Sequence, residues 1–384
     1  MKPSLFFILT FAIVKLSIAQ TPKNIDFGTD TTFEVSTWNI EHFPKNGPTT
    51  ISLTSQVIEM MNIDFLALQE IESETAFNDL VENLTDYSGY WAEYYYSGMA
   101  FLYKPELVTV NNTYKILTGY DRELPRAPLV AEITVGDENF VIINNHYKCC
   151  GDGHLDHNDP WDEEKRRYDA SVLIQNYIEN HFASSQVILL GDLNDEINDD
   201  TSNNVFQPFL DDTTEYLFAD MSITNLPSSD WSYPTWPSHL DHILVTDEIF
   251  TDFANETPYV ACIKPDEVIA GGWSTYEDNI SDHRPVGLRI ALPQEITSAI
   301  NLNNKFTVIV YPNPADDVLF IKSGSNFRGT ISLINSLGQL VLKKELSNKY
   351  TLQLNTSTIS QGIYYLRIES SSGKFEIQKI VVNK

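Results

Sequence analysis

The sequence predicts an α/β domain built on sheets, followed by a small all-β module. Three observations carry this. Between about Phe33 and Leu292, short apolar runs of strand character are mixed with a few stretches of helical spacing. The apolar runs end in polar, chemistry-capable residues. Beyond residue 305 helical spacing disappears, and short strands separated by Gly, Asn and Ser turns take over.

The elements follow in order. "TFEVSTWNI" alternates like a strand. "TSQVIEMMNIDFLALQE" reads as a helix and then a buried strand. "MAFLYKPELV" and "PLVAEITVG" are strand-like, and Asp137, Glu138 and Asn139 form a turn into "FVIINNHYK". "EEKRRYDASVLIQNYIENHF" places apolar residues at helical spacing, and "QVILLGDLND" is an apolar strand with a polar end. "LDHILVTDEIF" and "SDHRPVGLRIAL" close the series. The segment 293–305, "PQEITSAINLNNK", has no strong period and reads as a linker. Residues 306–384 then repeat the short-strand pattern of a small β-sandwich and contain no His and no Cys.

The chain opens on "MKPSLFFILTFAIVKLSIAQ". A lysine precedes an apolar run, and Ser17, Ile18 and Ala19 offer small residues for cleavage, so residues 1–19 read as a signal peptide. Lys15 interrupts the run, which argues against a membrane anchor, and no other segment is long and apolar enough for a span. A secreted or cell-surface location follows.

Hydrophobic residues make up 42% and aromatic residues 12%, enough for packed cores. Charge is uneven along the chain. The formal net charge is −28, yet residues 306–384 carry 9 basic against 5 acidic side chains and residues 1–20 carry two lysines. The totals of 25 and 53 therefore leave 14 basic against 48 acidic residues in 21–305, a net −34. That excludes a general basic footprint for gripping a nucleic-acid backbone. If this region handles phosphates, bound divalent cations must supply much of the positive field. Cys149, Cys150 and Cys262 are an odd set, and their spacing makes no zinc site. A bond from Cys262 to one of the vicinal pair is the expectation in an exported chain.

Asn39, Glu70, His146, Asp192 and Asn194 all fall at or near strand ends. Each has a bland explanation on its own: a cap, a solvated carboxylate, an interior histidine, a turn. Their joint order is harder to explain as structure. "STWNIEHF", "DFLALQEIE", "FLYKPE", "RAPLVAEI", "NNHYK", "LLGDLND", "LDHILV" and "SDHRPV" together resemble the endonuclease/exonuclease/phosphatase superfamily. That group contains deoxyribonuclease I, abasic-site endonucleases, neutral sphingomyelinases and inositol polyphosphate phosphatases. The resemblance covers residues 30–292 and implies a four-layer α/β sandwich, two packed sheets flanked by helices. It implies Glu70, Asn39 and Asp282 at a metal site, and His146, Asp192, Asn194, Asp241 and His283 as catalytic groups. Of these, Asp192 would position or activate the water or bind a second cation, Asn194 would orient the phosphate, His146 would contact the phosphate or assist the leaving oxygen, and His283, held by Asp241, would be the general base or acid. It also implies a phosphate-binding Arg126. Oxygen donors of this kind suit Mg²⁺ or Mn²⁺, with Ca²⁺ also admissible.

One departure stands out. Where the deoxyribonuclease group has a carboxylate partner for the first histidine, this chain reads "YYSGM", so the partner of His146 is in doubt. Arg284 has a bland explanation in pairing with a nearby acid, as has the basic run Lys165, Arg166, Arg167 at a helix start. The insertion "KCCGDGHLDHNDPWDEEKRR" leaves three readings open: a substrate-selecting loop, a calcium-binding loop or a solvated acidic loop.

In the C-terminal module, "VYPNPADDVLFI", "INSLGQLV", "ISQGIYYLRI" and "KIVVNK" resemble the sorting domain of type IX-secreted proteins of the Bacteroidetes group. This implies the type IX machinery as a partner. The leading functional expectation is a secreted, metal-dependent nuclease or related phosphodiesterase. The alternatives are a sphingomyelinase-like enzyme, docking through Trp231, Tyr233 and Trp236, or another phosphoester hydrolase, and a non-catalytic surface binding module.

Overall fold

The computed structural model describes residues 25–29, 31–250, 259–292, 308–315, 318–335, 340–370 and 375–383. The predicted signal peptide, 1–19, and the predicted linker, 293–305, lie outside the described residues. The chain divides into two compact units, Met1–Pro293 and Gln294–Lys384.

The first unit opens with β1 (Thr32–Phe43), α1 (Pro48–Met61), β2 (Phe65–Ile71), α2 (Glu74–Asn83), β3 (Ser88–Ala92) and β4 (Gly98–Tyr103). There follow β5 (Val108–Lys115), β6 (Leu129–Val135), β7 (Glu138–His146), α3 (Glu163–His181) and β8 (Gln186–Asp192). The series ends with α4 (Gln207–Leu210), β9 (Tyr216–Phe218), β10 (Asp241–Thr246), β11 (Tyr259–Cys262), α5 (Gly272–Asn279) and β12 (Val286–Ala291). Two six-stranded sheets result, ordered β11-β12-β1-β2-β4-β3 and β5-β6-β7-β8-β10-β9.

Strand alternation builds the layers. Phe33, Val35, Phe65 and Ala67 of one sheet share a buried cluster with Phe140, Ile142, Ile188, Leu190 and Ile243 of the other. Their neighbours in sequence face outward. Trp38, Ile40, Leu66 and Leu68 pack with Val57, Ile58, Phe77 and Tyr276 of the first sheet's helices. Val141, Ile143, Val187 and Leu189 pack with Ala170, Ile174 and Ile178 of α3. Each large apolar side chain so buried contributes about 1.5–3 kcal/mol. This is the four-layer sandwich that the resemblance implies.

The same alternation positions polar residues. Continuing each strand in steps of two from its inter-sheet residues reaches Asn39, His146, Asp192 and Asp241. All four therefore point between the sheets at one end of the sandwich. A polar layer closes the core just below them: Gln69 Nε2 donates to Thr37 Oγ1 at 3.0 Å and to Asn144 Oδ1 at 2.8 Å, joining the two sheets.

The named strands of the second unit pair antiparallel: β13 (Val308–Tyr311), β14 (Val318–Asn335), β15 (Leu340–Asn355), β16 (Gly362–Ser370) and β17 (Phe375–Val382). β14 is long enough to pair with β13 and β15 in its first half and with β15 and β16 in its second, with register shifts between Lys322 and Gly329. Leu319 and Ile321 of the first half share one core with Ile331, Leu333, Leu366, Ile368 and Ile380.

The expected disulfide is not present. Cys262 lies on β11 in one sheet, whereas Cys149 and Cys150 are exposed in the loop after β7 of the other, and all three cysteines are free.

Candidate active site

Parallel pairing of β7 with β8 sets His146 beside Asp192, and antiparallel pairing of β10 with β8 sets Asp241 on the other side of Asp192. Three chemistry-bearing residues thus stand in register across three adjacent strands. Gly191 permits this close approach. A Cβ there would lie 2.0 Å from the Asn145 carbonyl oxygen, and its φ of +153° disfavours any side chain.

Asn39 reaches the group from the opposite sheet. Its Nδ2 donates to Asp192 Oδ2 at 2.9 Å and to Glu70 Oε1 at 3.2 Å. Glu70 itself breaks the alternation of β2, in which Leu66 and Leu68 face the helices. A register shift between Leu68 and Ile71 and a φ of +63° at Glu70 turn its carboxylate back toward the site. His146 Nε2 then lies 3.8 Å from Glu70 and 3.5 Å from Asp192.

His283 arrives on the loop between α5 and β12. Its Nδ1 is 2.7 Å from Asp241 Oδ2, and its Nε2 lies 3.7 Å from Asp192 Oδ2 and 3.9 Å from Asp282 Oδ1. The loop is held from several sides. Ser281 Oγ donates to the Asn39 carbonyl at 2.6 Å and accepts from His283 N at 2.9 Å. Trp38 Nε1 and Tyr276 OH both donate to the His283 carbonyl. The Tyr233 ring packs 4.8 Å from the imidazole.

Crowded carboxylates in a buried site shape the titration. Burial, with Asp241 and Glu70 nearby, pushes the Asp192 carboxyl up to about 7 against the opposing pull of His283 and the Asn39 amide. Burial raises Asp282 to about 6. For His283 burial works the other way, but the carboxylates of Asp241 and Asp192 outweigh it and carry the imidazole up to about 10. Burial, helped by Arg126 and His283, drives His146 well below the ordinary histidine range.

All the residues expected at the site are at this rim. Asn194 has a φ of +55°, its amide donates to Asp192 Oδ1 at 3.2 Å and its Nδ2 to the Tyr147 carbonyl at 3.3 Å. Arg126 is anchored through Nε to Ser97 Oγ at 3.3 Å. The doubt over His146 is justified: its Nδ1 is buried with no hydrogen-bond partner. Arg284 is structural, with two bonds to Asp266 at 2.8 and 2.7 Å. Glu41 was not anticipated. It accepts from Asp282 N at 2.9 Å and helps raise the Asp282 carboxyl. Its signal was a carboxylate two positions after Asn39 in "WNIEHF". Ser281 and Tyr233 were likewise not foreseen as supports of His283.

The donor set fits a divalent cation. Glu70, Asp192, Asp282 and Glu41 gather hard carboxylate oxygens in one place, and two of these acids, Asp192 and Asp282, are raised chiefly by burial and further by neighbouring carboxylates. One oxygen each from Asp192 and Asp241 and a nitrogen of His283 fall within 4.8 Å of one another. For its oxygen to join the set, the Asn39 amide would turn over, since Oδ1 now accepts from Glu41 N at 3.0 Å.

Residues 36–283 match the Endonuclease/Exonuclease/phosphatase family, and residues 309–383 match the Secretion system C-terminal sorting domain. A search of curated proteins finds no match. Among solved structures the chain is similar to TDP2 from Caenorhabditis elegans, at 13% identity and a TM-score of 0.51 over 69% of this chain and 78% of that one. It is also similar to an endonuclease/exonuclease/phosphatase from Bacteroides vulgatus, at 16% identity and 0.48 over 68% and 99% of the two chains. The human Nocturnin catalytic domain with bound sulfate gives 16% and 0.47 over 67% and 93%. The likeness to TDP2 concerns the fold alone. With its match spanning most of the first unit, the chain belongs to the endonuclease/exonuclease/phosphatase family.

Proposed function

We propose that this chain is an exported, cation-dependent phosphodiesterase that cleaves nucleic acid. The observation that carries this is the His283–Asp241 pair. Asp241 engages Nδ1 at 2.7 Å and leaves Nε2 facing Asp192 and Asp282 without a hydrogen bond. Glu70, Asp282 and Asn39 would hold the cation. When bound, Mg²⁺ or Mn²⁺ polarises a phosphoryl oxygen and offsets its charge.

The chain's own groups divide the remaining work. Asp192, with its carboxyl near 7, accepts a proton from the attacking water. The water oxygen bonds to phosphorus as the leaving oxygen departs. His283, protonated around neutral pH, gives its Nε2 proton to that oxygen. Asp241 holds the ring in orientation and offsets the imidazolium charge. Asn194, Arg126 and neutral His146 line the place where the phosphate sits and stabilise its developing charge.

Soluble nucleic acid is favoured over lipid by the fate of "SDWSYPTWP". Trp231 donates to the Ile223 carbonyl at 3.2 Å and packs on the core, and Tyr233 packs on His283. Only Trp236 of the three aromatic residues is exposed, at 77%, which is a poor membrane anchor. The sorting domain implies export by type IX secretion. No helix among the described residues is long and apolar enough to cross a membrane.

The test is a panel of DNA, RNA, sphingomyelin and inositol phosphates incubated with purified protein. Cleavage of nucleic acid should vanish in EDTA and return with Mg²⁺ or Mn²⁺. Full activity in EDTA, or hydrolysis confined to sphingomyelin, would sink the proposal.

A further inference from the structure

We propose a second cation site, for Ca²⁺, in the loop between β7 and α3, built from Asp152, Asp162 and Glu164. One oxygen from each of these side chains lies within 4.8 Å of the others. Clustered acids alone would prove nothing, because exposed acids crowd together harmlessly in water. The decisive observation is Glu164, which is only 2% exposed and whose Oε2 is buried with no hydrogen-bond partner. Leaving a carboxylate oxygen dry and unpaired is costly. A cation at the cluster removes that cost.

The loop backbone closes around this carboxylate. Oε1 accepts from Gly153 N at 2.7 Å and lies 3.2 Å from Arg167 Nη2. At Gly151, φ is +115° and a Cβ would sit 2.2 Å from Oε1 and 2.5 Å from Oε2, so only glycine fits. Asp152 and Asp162 each use Oδ1 on backbone amides, from His154 at 3.0 Å and Lys165 at 2.8 Å respectively.

Local positive charge does not balance these acids. Lys165 pairs with Asp169, and Arg166 donates to the Arg122 carbonyl. Lys148 lies over the Cys149 carbonyl. Among the described residues, Arg167 is the cation that reaches the cluster, and it also bonds Asp195 at 2.8 Å. One guanidinium therefore serves both Asp195 and Glu164.

The donors are all carboxylate oxygens, which selects a hard cation. An irregular loop suits the variable coordination of Ca²⁺ better than the strict octahedron of Mg²⁺. The site also has a route to the active centre. Arg167 donates to the carbonyls of Lys148 at 2.9 Å and Cys150 at 2.6 Å, fixing the chain as it leaves His146. A cation on Glu164 thereby steadies the rim of the active site without touching the substrate.

The experiment is calorimetric titration of CaCl₂ into the full chain carrying Glu70→Gln, which weakens the proposed active-site cation position. One Ca²⁺ per chain should bind with a Kd on the order of 10⁻⁴–10⁻³ M, the range of extracellular modules. Adding Asp152→Asn, an exposed change that should leave folding intact, should weaken binding about tenfold or more by removing a ligand charge. Glu164→Gln should abolish it. Circular dichroism checks that each variant is folded, and if Glu164→Gln is not, Asp152→Asn decides. No binding up to about 10 mM Ca²⁺, binding unchanged by Asp152→Asn, or equal affinity for MgCl₂ would each overturn the assignment.

Discussion

Two aspartate–histidine clusters lie back to back across β10, and we propose chemistry for only one of them. Asp241 and His242 are neighbours in sequence, so their side chains leave opposite faces of the sheet. Asp241 points between the sheets to His283. His242 points to the helix side, where its Nδ1 lies 2.7 Å from Asp220 Oδ2 and its Nε2 lies 2.8 Å from the Asp195 carbonyl. His239 completes that second cluster, 2.9 Å from Asp220 Oδ2. All three residues of it are fully buried. A carbonyl and a carboxylate can only accept, so His242 carries both protons and is a buried imidazolium paired with Asp220. Neither of its nitrogens is free to act. His283 differs in one respect: Nδ1 is engaged and Nε2 is not. His239 also has a nitrogen without a hydrogen bond, Nδ1, but it is sealed in the interior. The contrast teaches that an Asp–His contact is by itself no evidence of catalysis; the proposal for His283 rests on an Nε2 without a hydrogen bond that faces Asp192 and Asp282 at the end of the strand layer.

Substitution should break the two clusters in different ways. The largest effect is expected from His283→Ala, which removes the proposed proton donor and should lower turnover about 10²–10⁴-fold with the fold retained. Steady-state kinetics alongside circular dichroism measures both. His242→Ala should do the reverse. It removes the charged partner of buried Asp220 and leaves His239 as its one histidine neighbour, and urea unfolding should show a loss of about 3–5 kcal/mol. Turnover per folded molecule should change little.

A smaller effect separates the clusters by pH. For His242 burial opposes the charged form, but Asp220 outweighs it and raises the folded value above the ordinary one of about 6.5. For Asp220 burial opposes ionisation, but the two imidazoles hold it well below the ordinary value of about 3.9. The histidine's contribution to stability is complete below about pH 6.5 and fades as pH rises through the folded value. The aspartate's contribution is complete above about pH 4 and fades as pH falls through its folded value. The stability difference between wild type and His242→Gln should therefore be greatest between about pH 4 and 6.5. Urea titrations from acid to mildly alkaline pH would reveal it; a flat difference would mean His242 is not charged in the fold.

Much of this organisation was legible in the sequence, and the failures have physical causes. Long periodic runs gave α1, α3 and the central strands, because a strand buried on both faces must be apolar. The edge strands β9 and β11, of three and four residues, are too short to carry a pattern. α2 has its cap, Ser73 Oγ accepting from Ala76 N at 3.2 Å, but few apolar positions to mark it. Asn39, His146, Asp192 and Asp241 follow from alternation once the inward face is known. Glu70 does not, since only a backbone irregularity turns it to the site. The 42-position separation of Asp241 and His283 was bridged by family resemblance alone, as no local rule spans that distance. The expected Cys262 bond failed because a preference for pairing thiols says nothing about which sheet each occupies.

A double-mutant cycle on Asp241 and His283 tests the central claim most directly. Turnover would be measured for Asp241→Asn, His283→Ala and the pair, in Mn²⁺ or Mg²⁺, with folding checked for each. If the pair acts as one proton-transfer unit, each single change is severe and the double variant is no worse than His283→Ala by more than about threefold. Near-wild-type turnover in His283→Ala, or losses that multiply in the double variant, would contradict the account.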